Sequence, residues 1–324
     1  MAKHWDGFLS DCMSLTRTWK LINERARQEN GEITFNPSIT CKENLAECFW
    51  VFSHPNGNPT QMARQYKHCG PIPQCAEVMV YTDGACMNNG KRNTRCRSRV
   101  WFGQDDPRNK AIWIPGDSQS NQVGKVAAVI AILEIVPPYQ PAKIITDSKY
   151  VIKGLTTHLE SWENNGWIGI KNAKLFRKAA HLMRYRSVRT TLQWVKGHNG
   201  VQGNKGSNAL AKQGANKQTP NPLNLEIPKD FDIQGANLPT LTQATAYKGI
   251  LERKHTKTRK TSEKNMWLIH TAIKRMTKEV ETNAAIWQST QRSTIRPIIQ
   301  QFFYKMIHRT HMIGKYWQHV WNQP

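Results

Sequence analysis

Two aspartates and one lysine stand at positions that could serve either chemistry or structure. Asp83 ends the strand-like run VMVYTD, and Asp147 ends a second such run, KIITD. An aspartate at the end of a strand, taken alone, is most simply a cap for the turn that follows. Lys125 lies in the aliphatic segment QSNQVGKVAAVIAIL at positions 119–133, where its ammonium group must reach solvent or face a polar partner.

The elements that must position these residues follow from the patterns of apolar residues and turns. Strand patterns lie at 78–83, 100–102, 111–114, 143–147 and 190–195, and helical patterns begin near 121, 148, 175 and 204. Three strands in series, followed by helices that alternate with strands, are typical of a mixed sheet covered by helices. The sequence therefore predicts an α/β fold with a mixed five-stranded sheet.

Composition divides the chain into four parts. We predict an N-terminal extension over 1–76 that is partly helical, the α/β domain over 77–216, a linker over 217–246 and a basic helical C-terminal region over 247–324. In the last region, two amphipathic helices are indicated by Met266, Ile269, Ile273, Met276 and Val280, and by Ile295, Ile299, Phe302 and Met306.

Charge and cysteine usage narrow the class of protein. The formal net charge of +23 points to a polyanionic partner, either nucleic acid or an acidic membrane surface. No apolar run reaches the roughly 18 residues that span a bilayer, so we expect no membrane segment. All seven cysteines lie in the first third without a C-x₂-C pair, which favours reduced thiols in an intracellular protein over disulfides or a zinc site. The basic run from Arg253 to Lys260 could contact phosphate or simply be solvated.

Three motifs of the predicted α/β domain together resemble ribonuclease H of type 1. They are YTDGACMNNG at 81–90, ITDSKYVIKGL at 145–155 and WVKGHNGVQGNKGSNALAKQGA at 194–215. Details such as NTRxxxxxWFG at 93–103 and DSxYVIxGL…WIGIKN at 147–172 are similar to the ribonuclease H module of fungal non-LTR retrotransposon polyproteins. The segment HRTHMIGKYWQHV at 308–320 is similar to the region that follows that module. The resemblance implies a ribonuclease H-like fold and an endoribonuclease that cleaves the RNA strand of RNA–DNA hybrids.

The resemblance also implies a site for two Mg²⁺ ions, which activate a water molecule and stabilise the leaving alkoxide. Four carboxylates hold these ions in the family, and Asp83 and Asp147 match two of them. Lys125 occupies the place of the second acid, and Asn208 occupies the place of the fourth. At about 4 Å and an effective dielectric constant of about 20, each pair of unit charges interacts by about 4 kcal/mol. We therefore expect magnesium binding to be lost or weak, and Lys125 to pair with Asp83 or Asp147 instead.

Further departures lie in the second predicted strand. The family has small residues there that let the sheet pack, whereas this chain has Cys96-Arg-Ser-Arg99. Changes from Glu to Lys, from Asp to Asn and from Gly to Arg or Ser can each arise from a single G-to-A transition. One hypothesis is therefore a degraded copy of a retroelement, damaged by cytosine deamination on the opposite strand.

Positions that contact the nucleic acid in the family are better preserved. By resemblance, candidate substrate contacts are Asn89, Asn121, Gln122, Trp167, Asn172 and Lys196. The RNA 2′-hydroxyl distinguishes a hybrid from a DNA duplex at such contacts. Trp167 could equally be a packed indole, and Asn172 a turn amide. His198 matches a mobile-loop histidine that is thought to assist proton transfer or product departure.

Three functions remain open from the sequence. The first is a ribonuclease H-family protein that binds RNA–DNA hybrid or duplex and cleaves it poorly or not at all. The second is an active metal-dependent ribonuclease H with a rearranged site. The third is a structural or partner-binding role for the C-terminal helices. We expect an intracellular location, with the nucleus as one candidate compartment.

Overall fold

The computed structural model describes Leu15 and residues 17–37, 49–53, 75–87, 95–115, 119–197, 221–228, 231–232, 234–254 and 258–312. These residues belong to two compact units, and the second unit begins after Arg253. No helix in the described ranges is both long enough and apolar enough to cross a membrane.

The first unit is built on a mixed six-stranded sheet with flanking helices, which confirms the predicted α/β class. The strands of the unit are β1 (Glu32–Thr34), β2 (Trp50–Val51), β3 (Val78–Met87), β4 (Arg95–Trp101), β5 (Lys110–Trp113), β6 (Ala142–Thr146), β7 (Thr190–Trp194) and β8 (Ala236–Asn237). The order in the main sheet is β1-β7-β6-β3-β4-β5, with β6 parallel to both β3 and β7 and the other pairs antiparallel. The sixth strand, β1, comes from the predicted N-terminal extension, so the expected strand number of five was too low.

The helices cover the sheet and form the second unit. They are α1 (Arg17–Glu29), α2 (Asn121–Ile135), α3 (Lys149–Leu155), α4 (Leu159–Asn164), α5 (Ala173–Tyr185), α6 (Gln243–Arg253), α7 (Lys260–Thr277), α8 (Asn283–Thr290) and α9 (Pro297–His308). The first six belong to the first unit, and α7 to α9 belong to the second.

Helix α2 lies at the centre of the first unit because its aliphatic residues are buried on almost every side. Ser120 caps its N-terminus by accepting a hydrogen bond from the backbone N–H of Val123, and all residues from 126 to 133 are buried. Helix α2 meets β3 where Gly84 faces Gly124. A methyl group added at Gly84 would lie 2.6 Å from the backbone nitrogen of Lys125, so this close approach requires glycine.

The segment predicted as a linker carries regular structure. Strand β8 pairs with β2, and α6 begins at Gln243 rather than at the predicted start of the C-terminal region, residue 247. Helix α6 packs closely against other parts of the first unit, since a methyl group at Gly249 would lie 2.8 Å from side-chain atoms of both Phe52 and Ile168. Residues on both sides of the predicted boundary at 246 therefore belong to the first unit.

The second unit has a small core in which Met266 of α7, Ile286 of α8 and Ile307 of α9 are buried. Ile269 and Ile273 pack against this core as the amphipathic pattern of α7 predicted, but Met276 is 84% exposed. The predicted apolar stripe of α9 was wrong, because Ile299, Phe302 and Met306 are exposed while Ile307 faces inward. Helix α9 is apolar on more than one face, so spacing alone could not identify the buried one.

Candidate active site

Asp83 lies within β3 rather than at its end, because the strand continues through Gly84 to Met87. Its Cα is paired with that of Arg99 on β4. Arg99 Nη1 donates a hydrogen bond to Asp83 Oδ2 at 3.3 Å, and the two side chains are 11% and 27% exposed. One of the two matched aspartates is therefore ion-paired in a partly buried setting.

The side-chain alternation of β4 explains how Arg99 reaches Asp83. Successive residues of a strand point to opposite faces, and Cys96, Ser98 and Val100 are fully buried on one of them. That face meets α2, since Ser98 Oγ donates to the backbone carbonyl of Gly124 at 2.5 Å. The expectation that the arginines replace residues needed for packing is therefore corrected. Small residues still occupy the packed face, and Arg99 points to the opposite one, with Asp83.

Lys125 forms an ion pair with the second aspartate, Asp147. Its Nζ donates a hydrogen bond to Asp147 Oδ1 at 2.9 Å, with side chains 19% and 24% exposed, which confirms the predicted ion pair. The first turn of α2 is held against β3 at Gly84, so the lysine stem emerges beside the ends of the central strands.

Asp147 directly follows β6 and is fixed on several sides. Trp194 Nε1 donates to its backbone carbonyl at 3.0 Å. Ser148, not Asp147, caps α3, because its side chain accepts from the backbone N–H of Val151. A methyl group added at Gly197 would lie 3.1 Å from Asp147 Oδ2, so the chain after β7 returns to this carboxylate.

The described residues do not fit a pair of divalent cations. Each of the two carboxylates is in contact with a cationic side chain, and Lys125 would bring its positive charge against a bound metal. Within the part of the chain that the structure describes, no group of three or more His, Cys, Asp or Glu residues could hold a metal ion. Asn208 and His198, two other predicted site residues, lie outside the described residues, as does Asn89.

The other residues predicted to contact nucleic acid differ in how exposed their side chains are. Asn121 and Gln122 are exposed at the start of α2, and Lys196 is exposed after β7. Trp167 is buried and packs on Trp162 with ring centroids 5.8 Å apart.

Asn172 lies in a turn with φ of 60°, and its Nδ2 donates to the hydroxyl of Tyr150 at 3.2 Å. Three of the candidate contacts are thus available at the surface. The side chains of Trp167 and Asn172 are engaged within the protein.

Sequence reasoning missed Arg99 as a partner of Asp83. Arg99 was noted only as a departure from the family's small residues. Strand alternation places every second residue of RCRSRVW on the same face and so puts Arg99 on the face opposite Ser98, but the register that pairs Arg99 with Asp83 is not visible in the sequence.

The mixed sheet, with Asp83 within β3 and Asp147 directly after the adjacent parallel strand β6, defines a protein of the ribonuclease H-like class. A family model described as RNase H matches residues 75–216. The chain is 31% identical over 143 residues to ribonuclease H of Pseudomonas aeruginosa, a match that covers 43% of this chain and 93% of that protein. The chain belongs to the ribonuclease H family.

Longer relatives match over a similar length of the chain. Identity is 37% over 144 residues with ribonuclease H of Schizosaccharomyces pombe, which covers 43% of this chain and 53% of that protein. Identity is 34% over 143 residues with human ribonuclease H1, which covers 43% of this chain and 50% of that protein. The chain thus spans about half the length of these curated relatives.

Solved structures resemble the chain more distantly. The crystal structure of LC9-RNase H1, described as a type 1 RNase H with the type 2 active-site motif, is 21% identical, with a TM-score of 0.37. The similarity covers 56% of this chain and 87% of that one.

Proposed function

We propose that the chain is a nucleic-acid-binding member of the ribonuclease H family that recognises RNA–DNA hybrid or a related duplex and has lost most or all of its endoribonuclease activity. The observation that carries the proposal is that both carboxylates are paired with cations: Asp83 with Arg99 and Asp147 with Lys125. Metal-dependent hydrolysis needs these oxygens as metal ligands.

Electrostatics explains why a lysine in place of a carboxylate should strongly weaken metal binding. Replacing a carboxylate by an ammonium group exchanges an attraction for a repulsion toward each metal ion. Each such interaction is worth about 4 kcal/mol at about 4 Å and an effective dielectric constant of about 20. A metal ion would also have to displace Arg99 and Lys125 from their partners, and neither side chain is more than about one-fifth exposed. Mg²⁺, which gives up its water ligands reluctantly, is poorly suited to such a site.

Binding of the hybrid does not depend on the metal ligands alone. Asn121 and Gln122 offer exposed amides beside the pair formed by Lys125 and Asp147, and Lys196 offers an exposed cation after β7. Amides can contact base edges and 2′-hydroxyls in the wide minor groove of an A-like helix. Lysine neutralises phosphate, so the affinity should fall as the salt concentration rises.

The test is cleavage of a labelled RNA–DNA hybrid in Mg²⁺ or Mn²⁺ by the full chain. We expect little or no cleavage by the original chain. We expect a gain on combining Lys125→Glu with Asn208→Asp, and a larger gain when Arg99→Gly frees Asp83. The control Lys125→Gln removes the cation without adding a ligand, and Lys153→Glu makes the same charge change on the exposed face of α3. Rapid cleavage by the original chain would overturn the proposal and favour the active enzyme.

The second candidate, an active ribonuclease H with a rearranged site, is favoured by the match over 93% of the length of a bacterial ribonuclease H. The third, a partner-binding role of the C-terminal helices, is favoured by the exposed apolar side chains of α9, of which Ile298 is 74% exposed.

We also propose that the chain descends from a retroelement and that G-to-A transitions produced its departures from the family. Lys125, Asn208, Arg97 and Arg99 can each arise in this way from Glu, Asp or Gly. Comparing the codons with those of an intact relative tests the proposal. A mixture of transversions at these positions would refute it.

A further inference from the structure

Helix α7 presents a strongly basic face on the side opposite the core of the second unit. Met266, Ile269 and Ile273 face that core. With 3.6 residues per turn, the residues on the opposite side are those at positions 260, 261, 264, 267, 268, 271, 274 and 275. Four of them are exposed cations: Lys260, Lys264, Lys274 and Arg275. Glu263 is the one acidic residue within α7, and it lies at the edge of this face. We call these residues the α7 basic face.

Trp267 lies in the middle of the α7 basic face. Its side chain is 62% exposed, although a buried indole would contribute far more to the stability of the fold. Trp267 lines an open cavity with His270, Thr271 and Lys274 of α7 and with Val280, Glu281 and Thr282, which precede α8. A flat ring is thus accessible between two pairs of cations.

The cations of this face also repel one another. Lys260 and Lys264 are four residues apart, and like charges at that spacing destabilise a helix. Lys274 and Arg275 add two more positive charges in the last turn of the helix, where the helix dipole favours them. A bound polyanion would relieve the repulsion between Lys260 and Lys264.

We propose that the α7 basic face binds single-stranded nucleic acid, with phosphates on Lys264, Lys274 and Arg275 and an unpaired base stacked on Trp267. Stacking on an exposed aromatic ring needs a base that is not held in a duplex, which selects single strands. An acidic membrane surface fits less well, because Trp267 and Leu268 are the only large apolar side chains on this side of α7 and cations flank them. The proposal does not rest on hybrid recognition by the first unit.

The phosphate contacts are tested by the salt dependence of binding. The full chain is titrated with fluorescent oligodeoxythymidine of about 20 nucleotides at several salt concentrations. Replacing Lys264, Lys274 and Arg275 together by Gln should reduce the slope of log K against log salt by about 2, since each lost phosphate contact on a single strand contributes about 0.7. The matched control replaces three exposed cations of α1, namely Arg17, Lys20 and Arg25, by Gln and should leave the slope unchanged. Equal slopes for the two triple variants, or no binding by the original chain, would overturn the proposal.

The stacking contact is tested by two substitutions of the indole. Trp267→Phe keeps an aromatic ring and should retain most of the affinity. Trp267→Leu keeps apolar bulk without a ring and should weaken single-strand binding about tenfold, with little effect on a DNA duplex of the same length. If both variants bind the single strand like the original chain, the base does not stack there. If Trp267→Leu instead weakens binding to vesicles containing phosphatidylserine, the face is a membrane site and the proposal fails. Loss of hybrid binding by the first unit changes neither readout.

Discussion

At the scale of single residues, Lys125 and Arg99 set the charge of the site, because each forms an ion pair with one of its two aspartates. Lys125 was predicted to pair with Asp83 or Asp147, because the resemblance to ribonuclease H puts it in the place of an acid beside them, and it contacts Asp147. The contact between Arg99 and Asp83 could not be predicted in the same way. It depends on the register of β3 against β4, which residue types alone do not specify.

Changing Lys125→Glu should destabilise the first unit in the absence of divalent cations. The substitution removes an ion pair and places a second carboxylate beside Asp147, which should cost about 1–3 kcal/mol of unfolding free energy. Millimolar Mg²⁺ should recover part of this loss, because the new acid and Asp147 can share a cation. Urea denaturation with and without Mg²⁺ measures both effects. If Mg²⁺ raised the unfolding free energy of the original chain by the same amount, the proposed loss of metal binding would be contradicted.

At the scale of elements, the close packing of α2 on β3 brings Lys125 to the site. Gly84 and Gly124 permit this approach, since a methyl group on Gly124 would lie 2.9 Å from the carbonyl oxygen of Arg97 and from the sulfur of Cys96. The existence of α2 and of the strand was predicted from their apolar patterns. The need for two small residues at the crossing could not be predicted, because it arises from the distance between the two backbones.

The substitution Gly84→Ala should lower the unfolding free energy by about 3 kcal/mol or more. The added methyl group would lie 2.6 Å from the backbone nitrogen of Lys125, and backbone cannot move aside as a flexible side chain can. The matched control is Gly103→Ala, where an added methyl group meets nothing within 4 Å. Chemical denaturation of the two variants gives the comparison. Similar losses for both would show that the crossing tolerates a wider spacing.

A buried ion pair joins α4 to α5. Arg184 donates to Glu163 through two nitrogens at 2.5 and 2.8 Å, and both side chains are only 4% exposed. The Nε of Arg184 also donates to the backbone carbonyl of Pro37 at 3.3 Å, which ties the segment after β1 to the same pair. The N-terminal segment is thereby held to the helices that flank the sheet.

Removing one partner of this pair should be costly. Glu163→Ala leaves the Arg184 charge buried without its carboxylate, and the expected loss is about 3–5 kcal/mol of unfolding free energy. The control Asp106→Ala breaks the more exposed contact between Arg108 and Asp106 and should cost about 1 kcal/mol or less. Thermal or urea unfolding distinguishes the two results. A loss for Glu163→Ala as small as that of the control would mean that solvent reaches the pair after substitution.

At the scale of the whole molecule, stability depends on pH through a histidine far from the candidate site in sequence. His181 of α5 is buried against Phe231, with ring centroids 4.6 Å apart. Its Nδ1 is buried and has no hydrogen-bond partner among the residues that the structure describes. Burial, reinforced by the nearby charge of Lys178, lowers the pKa of His181 from 6.5 to about 4.

The unfolded chain therefore binds a proton at His181 at a higher pH than the folded chain does. Stability from this group is complete above pH 6.5 and is lost as the pH falls toward 4. Between pH 7 and pH 5 the loss should be about 2 kcal/mol. Urea denaturation at both pH values measures it, and His181→Leu should flatten the difference. An unchanged pH dependence in that variant would assign the effect to other groups.

The two units also differ in how far sequence could describe them. The order of strands β3 to β7 and of helices α2, α3 and α5 followed from regular turns and apolar periods, whereas β1, β2, β8 and α4 of the same unit were not predicted. The second unit could be predicted only in part, because α9 has apolar residues on several faces and its core contains few buried side chains. Trp267 is a further example. The apolar spacing of α7 predicts a helix, but it does not show that this indole is exposed.

The most direct test of the account is the position of divalent cations in crystals of the full chain soaked in Mn²⁺ and examined by anomalous scattering. We expect Lys125 to remain on Asp147 and Arg99 on Asp83, with no manganese peak within coordinating distance of either carboxylate. A pair of peaks about 4 Å apart, bound by both aspartates, would contradict it.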